Sequence, residues 1–255
     1  MQGHDVVYME KQAGGIAVIR LNQPMKKNAI NARMMDLLRD RVIDADFDED
    51  VRVIILRGEG GIFSSGGDLS QNDGASVTPE SSRKTYRHYC AAISAMRSCA
   101  KPIVAMVNGY AVGGGFSLAL ASDFICVSSD AKVIPAFCQI GIAPEMAVVK
   151  MLCDLVGQHR AKEILFLGEM ISGVQLGEMG IAYRVCPEKE LEGVTYGLAR
   201  RLSEMPDASI QVAKTMINSL TDDGMSACFA MEQTASPFCT TTAAFARTQE
   251  RFAHA

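Results

Sequence analysis

Two glycine clusters and one carboxylate are the parts of this 255-residue sequence best suited to chemistry. The first cluster is Gly60-Gly61-Ile62-Phe63-Ser64-Ser65-Gly66-Gly67-Asp68-Leu69; the second is Asn108-Gly109-Tyr110-Ala111-Val112-Gly113-Gly114-Gly115. Each follows a predicted strand, and the second opens a predicted helix. Glycine lets backbone approach a ligand closely, and the free amides of a helix start favour negative charge. Either turn alone would read as tight helix–strand packing. Together, at strand C-terminal ends, they point to one shared anion or oxyanion site. The carboxylate is Glu145, which follows Pro144 at the head of a nearly all-apolar segment. An acid there complements the helix dipole. If Phe137, Ile142 and Met146 line the same site, their apolar surroundings raise its pKa and make it a better base.

Other chemistries fit less well. Neither cluster matches GxGxxG, and no GxxxxGK occurs, so nucleotide-binding fingerprints are absent. Gly115-Phe116-Ser117-Leu118-Ala119 differs by one residue from the GxSxG nucleophile elbow of hydrolases. That chemistry needs a later acid and histidine, and only His159 and His254 follow Ser117. The four histidines show no HxxxH spacing and the eight cysteines no CxxC pair, so no metal site and no disulfide framework is expected. Asp68 and Asp123 read as structural caps rather than acids.

The elements that must position these groups alternate along the chain. Residues 5–10 and 16–21 read as a hairpin around Ala13-Gly14-Gly15. Asn31 caps a helix whose apolar face carries Met34, Met35, Leu37, Leu38, Val42 and Ile43. Strands are predicted over 51–57, 103–107, 123–128 and 181–186. Thr78-Pro79 opens a helix to about Met96, residues 113–122 form a short one, and Pro144 opens another through Val156. Ser172-Gly173-Val174-Gln175 is a capping box. Three helical segments fill about 189 to 255. Strands alternating with helices imply an α/β fold with a largely parallel, buried sheet. Residues 1–190 are expected to form the core and 191–255 a C-terminal helical region of the same unit.

Composition sets the outer bounds. Apolar residues make up 48% and charged ones 21%, with a net charge of −4. A chain of this length buries roughly 70–75% of its unfolded surface without staples. The acidic balance speaks against a nucleic-acid partner, which needs clustered Lys and Arg. Apolar runs fall far short of the ~20 residues of a membrane helix, and the first residues lack a basic, then apolar, export signal. A cytoplasmic location is expected.

The combination of Pro24-x-x-x-Asn28-Ala29-Ile30, FSSGGDL (63–69), NGYAVGGG (108–115), Ala121-Ser122-Asp123 and AFCQIGIAPE (136–145) resembles the crotonase (enoyl-CoA hydratase/isomerase) superfamily. The likeness runs from about residue 5 to 250. It implies a spiral of ββα repeats with a helical C-terminal trimerisation region, hence a homotrimer or a hexamer built as a dimer of trimers. It also implies an acyl-CoA thioester substrate, with no cofactor beyond that substrate's own coenzyme A. The thioester carbonyl would sit between the backbone amides of Gly67 and Gly114. Two fixed N–H donors stabilise an enolate oxygen where its charge develops, and one such donor is typically worth about 2.7–4 kcal/mol.

The resemblance assigns Lys26, Lys27, Ala29, Ser65, Gly67, Asp68 and Leu69 to the coenzyme A end, and Ser117, Phe137 and Ile142 to the acyl pocket. The polar stretch after Asp68 is similar to a loop that closes over an acyl chain. The family's C-terminal basic segment, which reaches a neighbour's coenzyme A, has no counterpart in the final RFAHA. Hydratases of the superfamily use two glutamates, and this chain has Ser117 and Phe137 at the matching places. Glu145, eight residues beyond Phe137, matches the single base of Δ3,Δ2-enoyl-CoA isomerases. The resemblance therefore implies isomerisation through Glu145, Gly67 and Gly114. A hydratase, thioesterase or lyase of the same family, and a non-catalytic acyl-CoA-binding scaffold, are the alternatives.

Overall fold

A computed structural model describes residues 5–68 and 78–253. Its strands are β1 (Val7–Gln12), β2 (Ile16–Leu21), β3 (Val53–Gly58), β4 (Ile103–Val107), β5 (Tyr110–Val112), β6 (Phe124–Ser128), β7 (Lys132–Ile134), β8 (Ile171–Ser172) and β9 (Arg184–Cys186). The helices are α1 (Ala32–Phe47), α2 (Pro79–Ser98), α3 (Gly114–Ala121), α4 (Val148–Leu167) and α5 (Gly173–Glu178). Four more follow: α6 (Glu188–Ser203), α7 (Asp207–Thr221), α8 (Met225–Thr240) and α9 (Ala243–Ala253).

One sheet runs β1-β2-β3-β4-β6-β9, with only the β1–β2 hairpin antiparallel. A smaller sheet runs β5-β7-β8. Parallel bridges between Ile30 and Gly67, and between Ser64 and Ala111, align further extended segments beside it. Each turn of the chain thus lays one strand in the large sheet, a short extended piece in the small one, and then a helix. That is the expected ββα succession.

The central strands are apolar on both faces because both are covered. Alternate residues split cleanly. Ala17, Ile19, Ile54 and Leu56 join the main core with α1 and α2, whereas Ile16, Val18, Val53 and Ile55 pack beneath Leu191, Leu198 and Ala199 of α6. Lys214 of α7 is buried and pairs with Asp123 at 2.7 Å. Asp123 also accepts from the Ile103 amide at 2.7 Å.

The caps behave as their residue types require. Asn31 accepts the Met34 amide at 2.9 Å. Thr78 with Ser81, and Ser172 with Gln175, form reciprocal capping boxes. The structure corrects several boundaries. The first strand lies two residues later than expected, β5, β7 and β8 have no counterpart among the expected strands, and among the described residues four helices rather than three follow β9. Ile43 is exposed, and Ala45 takes its place on the buried face of α1. The helix expected from Pro144 begins at Val148. Its first segment does stop where expected, because Gly157 is non-helical and kinks α4.

Candidate active site

The register of the extended segments brings the two glycine clusters together. Ser64 donates its amide to the Tyr110 carbonyl at 2.9 Å, and the Val112 amide returns to the Ser64 carbonyl at 3.0 Å. Ile30, which bridges to Gly67, also has its Cδ1 3.2 Å from where a Gly114 Cβ would stand, so the two glycines share Ile30 as a neighbour. Ile30 locks the other side, donating to the Gly66 carbonyl at 2.7 Å and accepting from the Asp68 amide at 2.8 Å. Those bonds bypass the intervening Gly67 amide. Gly114 opens α3, where the first amides have no partner within the helix. Among the described residues, neither amide has a backbone acceptor. Gly66 must be glycine: its φ is +85°, and a Cβ would come 2.6 Å from the Val112 carbonyl oxygen.

An unusual turn follows Glu145. This residue is not in the first turn of α4, as the sequence suggested. Met146 and Ala147 after it both adopt left-handed backbone, with φ of +63° and +59°. Such conformations cost of order 1–2 kcal/mol per residue unless their surroundings enforce them. Here they do. The Met146 amide donates to the Tyr86 hydroxyl at 3.0 Å, and the Ala147 amide donates to the Glu232 carboxylate at 3.0 and 3.3 Å. The Ser117 hydroxyl donates to the Glu145 carbonyl at 3.0 Å. Ser236 donates a short hydrogen bond to Glu145 Oε1.

The Glu145 residue keeps partial solvent access, while its carboxyl is largely stripped of hydration. Loss of hydration raises its pKa to about 7, and the Ser236 hydrogen bond opposes that rise. The Tyr89 hydroxyl of α2 is pushed upward, first by burial and then by the charges of both Glu145 and Asp68. Burial likewise pushes the Cys90 thiol up to about 12, with Glu145 among its causes.

The other expected residues take these places. Ser117 is fully buried and holds Glu145 by its backbone instead of supplying a second acid. Phe137 is buried with its ring edge 3.8 Å from where a Gly113 Cβ would stand. Ile142 is half-buried against the core. Ala29 is buried, and Lys26 and Lys27 are exposed. The Ser65 amide donates to the Lys27 carbonyl at 2.9 Å, and Lys26 Nζ pairs with Asp68 at 3.1 Å. Leu69 and the polar stretch through residue 77 lie outside the described residues. Tyr86, Tyr89, Glu232 and Ser236 escaped sequence reasoning. The only signals were pairs at i, i+3 and i, i+4 spacing on helices far away in the chain.

A cavity of about 670 Å³ opens elsewhere, between Leu120, Phe124 and Met151 on one side and Lys214, Ile217 and Asn218 of α7 on the other. None of Gly67, Gly114 and Glu145 lines it. Among the described residues no cluster of three or more His, Cys, Asp or Glu could hold a metal ion, and no helix is long and apolar enough to cross a membrane.

The family model described as enoyl-CoA hydratase/isomerase matches residues 11–253. The 1,2-epoxyphenylacetyl-CoA isomerase of Escherichia coli is 29% identical over 207 residues, covering 80% of this chain and 79% of its own. The 4-chlorobenzoyl coenzyme A dehalogenase-2 of an Arthrobacter species is 31% identical over 216 residues, covering 84% and 78%. A crystal structure of a probable enoyl-CoA hydratase from Mycobacterium thermoresistibile superposes with a TM-score of 0.83. It is 28% identical and covers 93% of this chain and 97% of that one.

Proposed function

The chain belongs to the enoyl-CoA hydratase/isomerase family, and within it we propose that this protein isomerises a 3-enoyl-CoA to a 2-enoyl-CoA. The observation that carries the reading is the Glu145 carboxyl. It is desolvated with its pKa raised to about 7, Ser236 holds it, and the next residue, Met146, packs on Gly114, while Ser117 and Phe137 stand where the family resemblance puts a hydratase's two acids.

The steps balance with one base. The Glu145 carboxylate removes a proton from C2, and the electron pair spreads over the thioester oxygen and C4. The Gly67 and Gly114 amides hold the oxygen as it gains charge. The protonated carboxyl then delivers that proton to C4, and the double bond comes to rest between C2 and C3. A base whose pKa lies near the working pH serves both transfers. Addition of water would need a second group to activate the nucleophile, and Ser117 is committed to the Glu145 carbonyl.

Lys26, with Lys27, Ala29, Ser65, Asp68 and Leu69, is assigned to the coenzyme A end. Val212, Met216 and Leu220 form an exposed apolar stripe on α7, which supports assembly as a trimer or hexamer. The substrate assignment is tested by incubating the protein with 3-enoyl-, 2-enoyl- and saturated acyl-CoA. Isomerisation, hydration and thiol release are then followed separately. Isomerisation should dominate. Binding of all three without turnover would favour the scaffold.

A further inference from the structure

We propose that Glu232 and Ser236 of α8 are positioning residues: Glu232 clamps the left-handed turn after Glu145, and Ser236 orients the Glu145 carboxylate itself. The inference rests on reading Glu145 as the base. The two residues lie four apart and so share one face of the helix. Both are buried, at 5% and 3% exposure. They reach consecutive parts of one short segment that lies 85 and 91 residues earlier in the chain.

Ala147 stands at the N-cap of α4 and has no side-chain acceptor to offer the helix start. Glu232 instead accepts the Ala147 amide itself, the bond an N3 glutamate makes in a capping box, and a carboxylate suits the positive end of a helix dipole. The amides of Met146 and Ala147 would point elsewhere in ordinary right-handed backbone. Holding both, through Tyr86 and Glu232, keeps the turn in its costly form. With Ser117 on the Glu145 carbonyl, the carboxylate has little freedom left except at its own end. Ser236 removes it. Pro237, which follows Ser236, lacks an N–H and leaves the Gln233 carbonyl without its helical donor. It thereby marks an irregular point of α8 at the contact.

The groups facing these carboxyls are few. Among the described residues, Tyr89 and Cys90 of α2 feel the Glu145 charge, and burial raises the pKa of both, which keeps them neutral near pH 7. The Cys228 thiol lies 3.3 Å from Glu232 and is pushed up by burial, against an opposing effect of Lys150. Titration between pH 5 and 9 in this cluster therefore belongs to Glu145 and Glu232.

The test reads the Glu145 carboxyl directly, by infrared or carbon NMR titration of the glutamate-labelled protein. Its signal is assigned by its disappearance in Glu145→Gln. Removing a donor to the ionised form in Ser236→Ala should raise the Glu145 midpoint by up to about one pH unit. It should also shift the rise of kcat to higher pH and leave KM unchanged. Glu232→Leu should lower kcat roughly tenfold at constant KM, as expected of a displaced base. Glu232→Gln keeps a carbonyl acceptor for the Ala147 amide and should be distinctly milder. A Glu145 midpoint unmoved by Ser236→Ala, or a Glu232→Gln as damaging as Glu232→Leu, overturns the proposal. The Glu145 midpoint should also move in Glu232→Leu and less in Glu232→Gln, so if 3-enoyl-CoA is not turned over but the midpoints move as stated, the positioning pair stands and the isomerase reading alone falls.

Discussion

The Met146 sulfur lies against Gly114: a Cβ on that glycine would stand 2.9 Å from Sδ and 3.2 Å from Ile30 Cδ1. Met146, which follows the proposed base, is thus packed on the glycine whose amide we propose holds the developing oxyanion. Gly114→Ala should push the two apart. We expect kcat to fall by roughly 10–10²-fold with a smaller effect on KM, because misplacement by an ångström can cost that much. Steady-state kinetics on a 3-enoyl-CoA checks this. An unchanged kcat would separate the shelf from the chemistry.

Gly66→Ala acts on the same shelf through the backbone. A side chain at φ +85° is strained, and its Cβ would collide with the Val112 carbonyl oxygen at 2.6 Å. A loss of about 1–3 kcal/mol is expected in urea unfolding. Gly67→Ala, with no atom of the described residues within 4 Å of its Cβ, should be milder.

Stability should fall as the pH rises from about 4.5 through about 7. Glu145 and Glu232 both have folded-state pKa values raised by burial to about 7, against an ordinary 4.5. Between those values the unfolded chain has released protons that the folded chain retains, so the unfolded state gains with pH. The contribution is fully present below about 4.5 and lost as pH passes 7. Denaturation midpoints at pH 5 and pH 8 should differ less in Glu232→Gln than in the wild type. Turnover runs the other way. It should climb through about pH 7 as Glu145 ionises.

Assembly should depend on α7. Val212, Met216 and Leu220 recur every four residues and are 57%, 62% and 82% exposed. A stripe of that kind marks an interaction surface. Light scattering should give three or six times the chain mass, and Met216→Glu with Leu220→Lys should lower it. A monomeric wild type at micromolar concentration would contradict the assignment.

Much of the fold was legible because its signals are local. β2 and β4 are apolar runs bounded by turn residues, and both capping residues Asn31 and Thr78 do what their side chains permit. The two- and three-residue strands β5, β7 and β8 were invisible, since pieces so short show no periodicity and exist through pairing across the sheet. The start of α4 was misplaced for a related reason. Pro144-Glu145 has the look of a helix opening, but Tyr86 and Glu232 capture the next two amides and delay the helix to Val148. In the site, the glycine clusters could be read from spacing, because backbone amides need no particular side chain. Glu232 and Ser236 could not. Their roles depend on α8 folding back over Glu145, a contact between residues about ninety positions apart.

The measurement that bears most directly on this site is turnover of a 3-enoyl-CoA by Glu145→Gln, with binding followed in parallel by the quenching or heat of acyl-CoA titration. Gln matches the carboxylate in shape but cannot take a proton. We expect kcat to drop by about 10²–10⁴-fold, the range of a lost general base, while acyl-CoA affinity stays close to wild type. Full turnover by Glu145→Gln would contradict the assignment of Glu145 as the group that moves the proton.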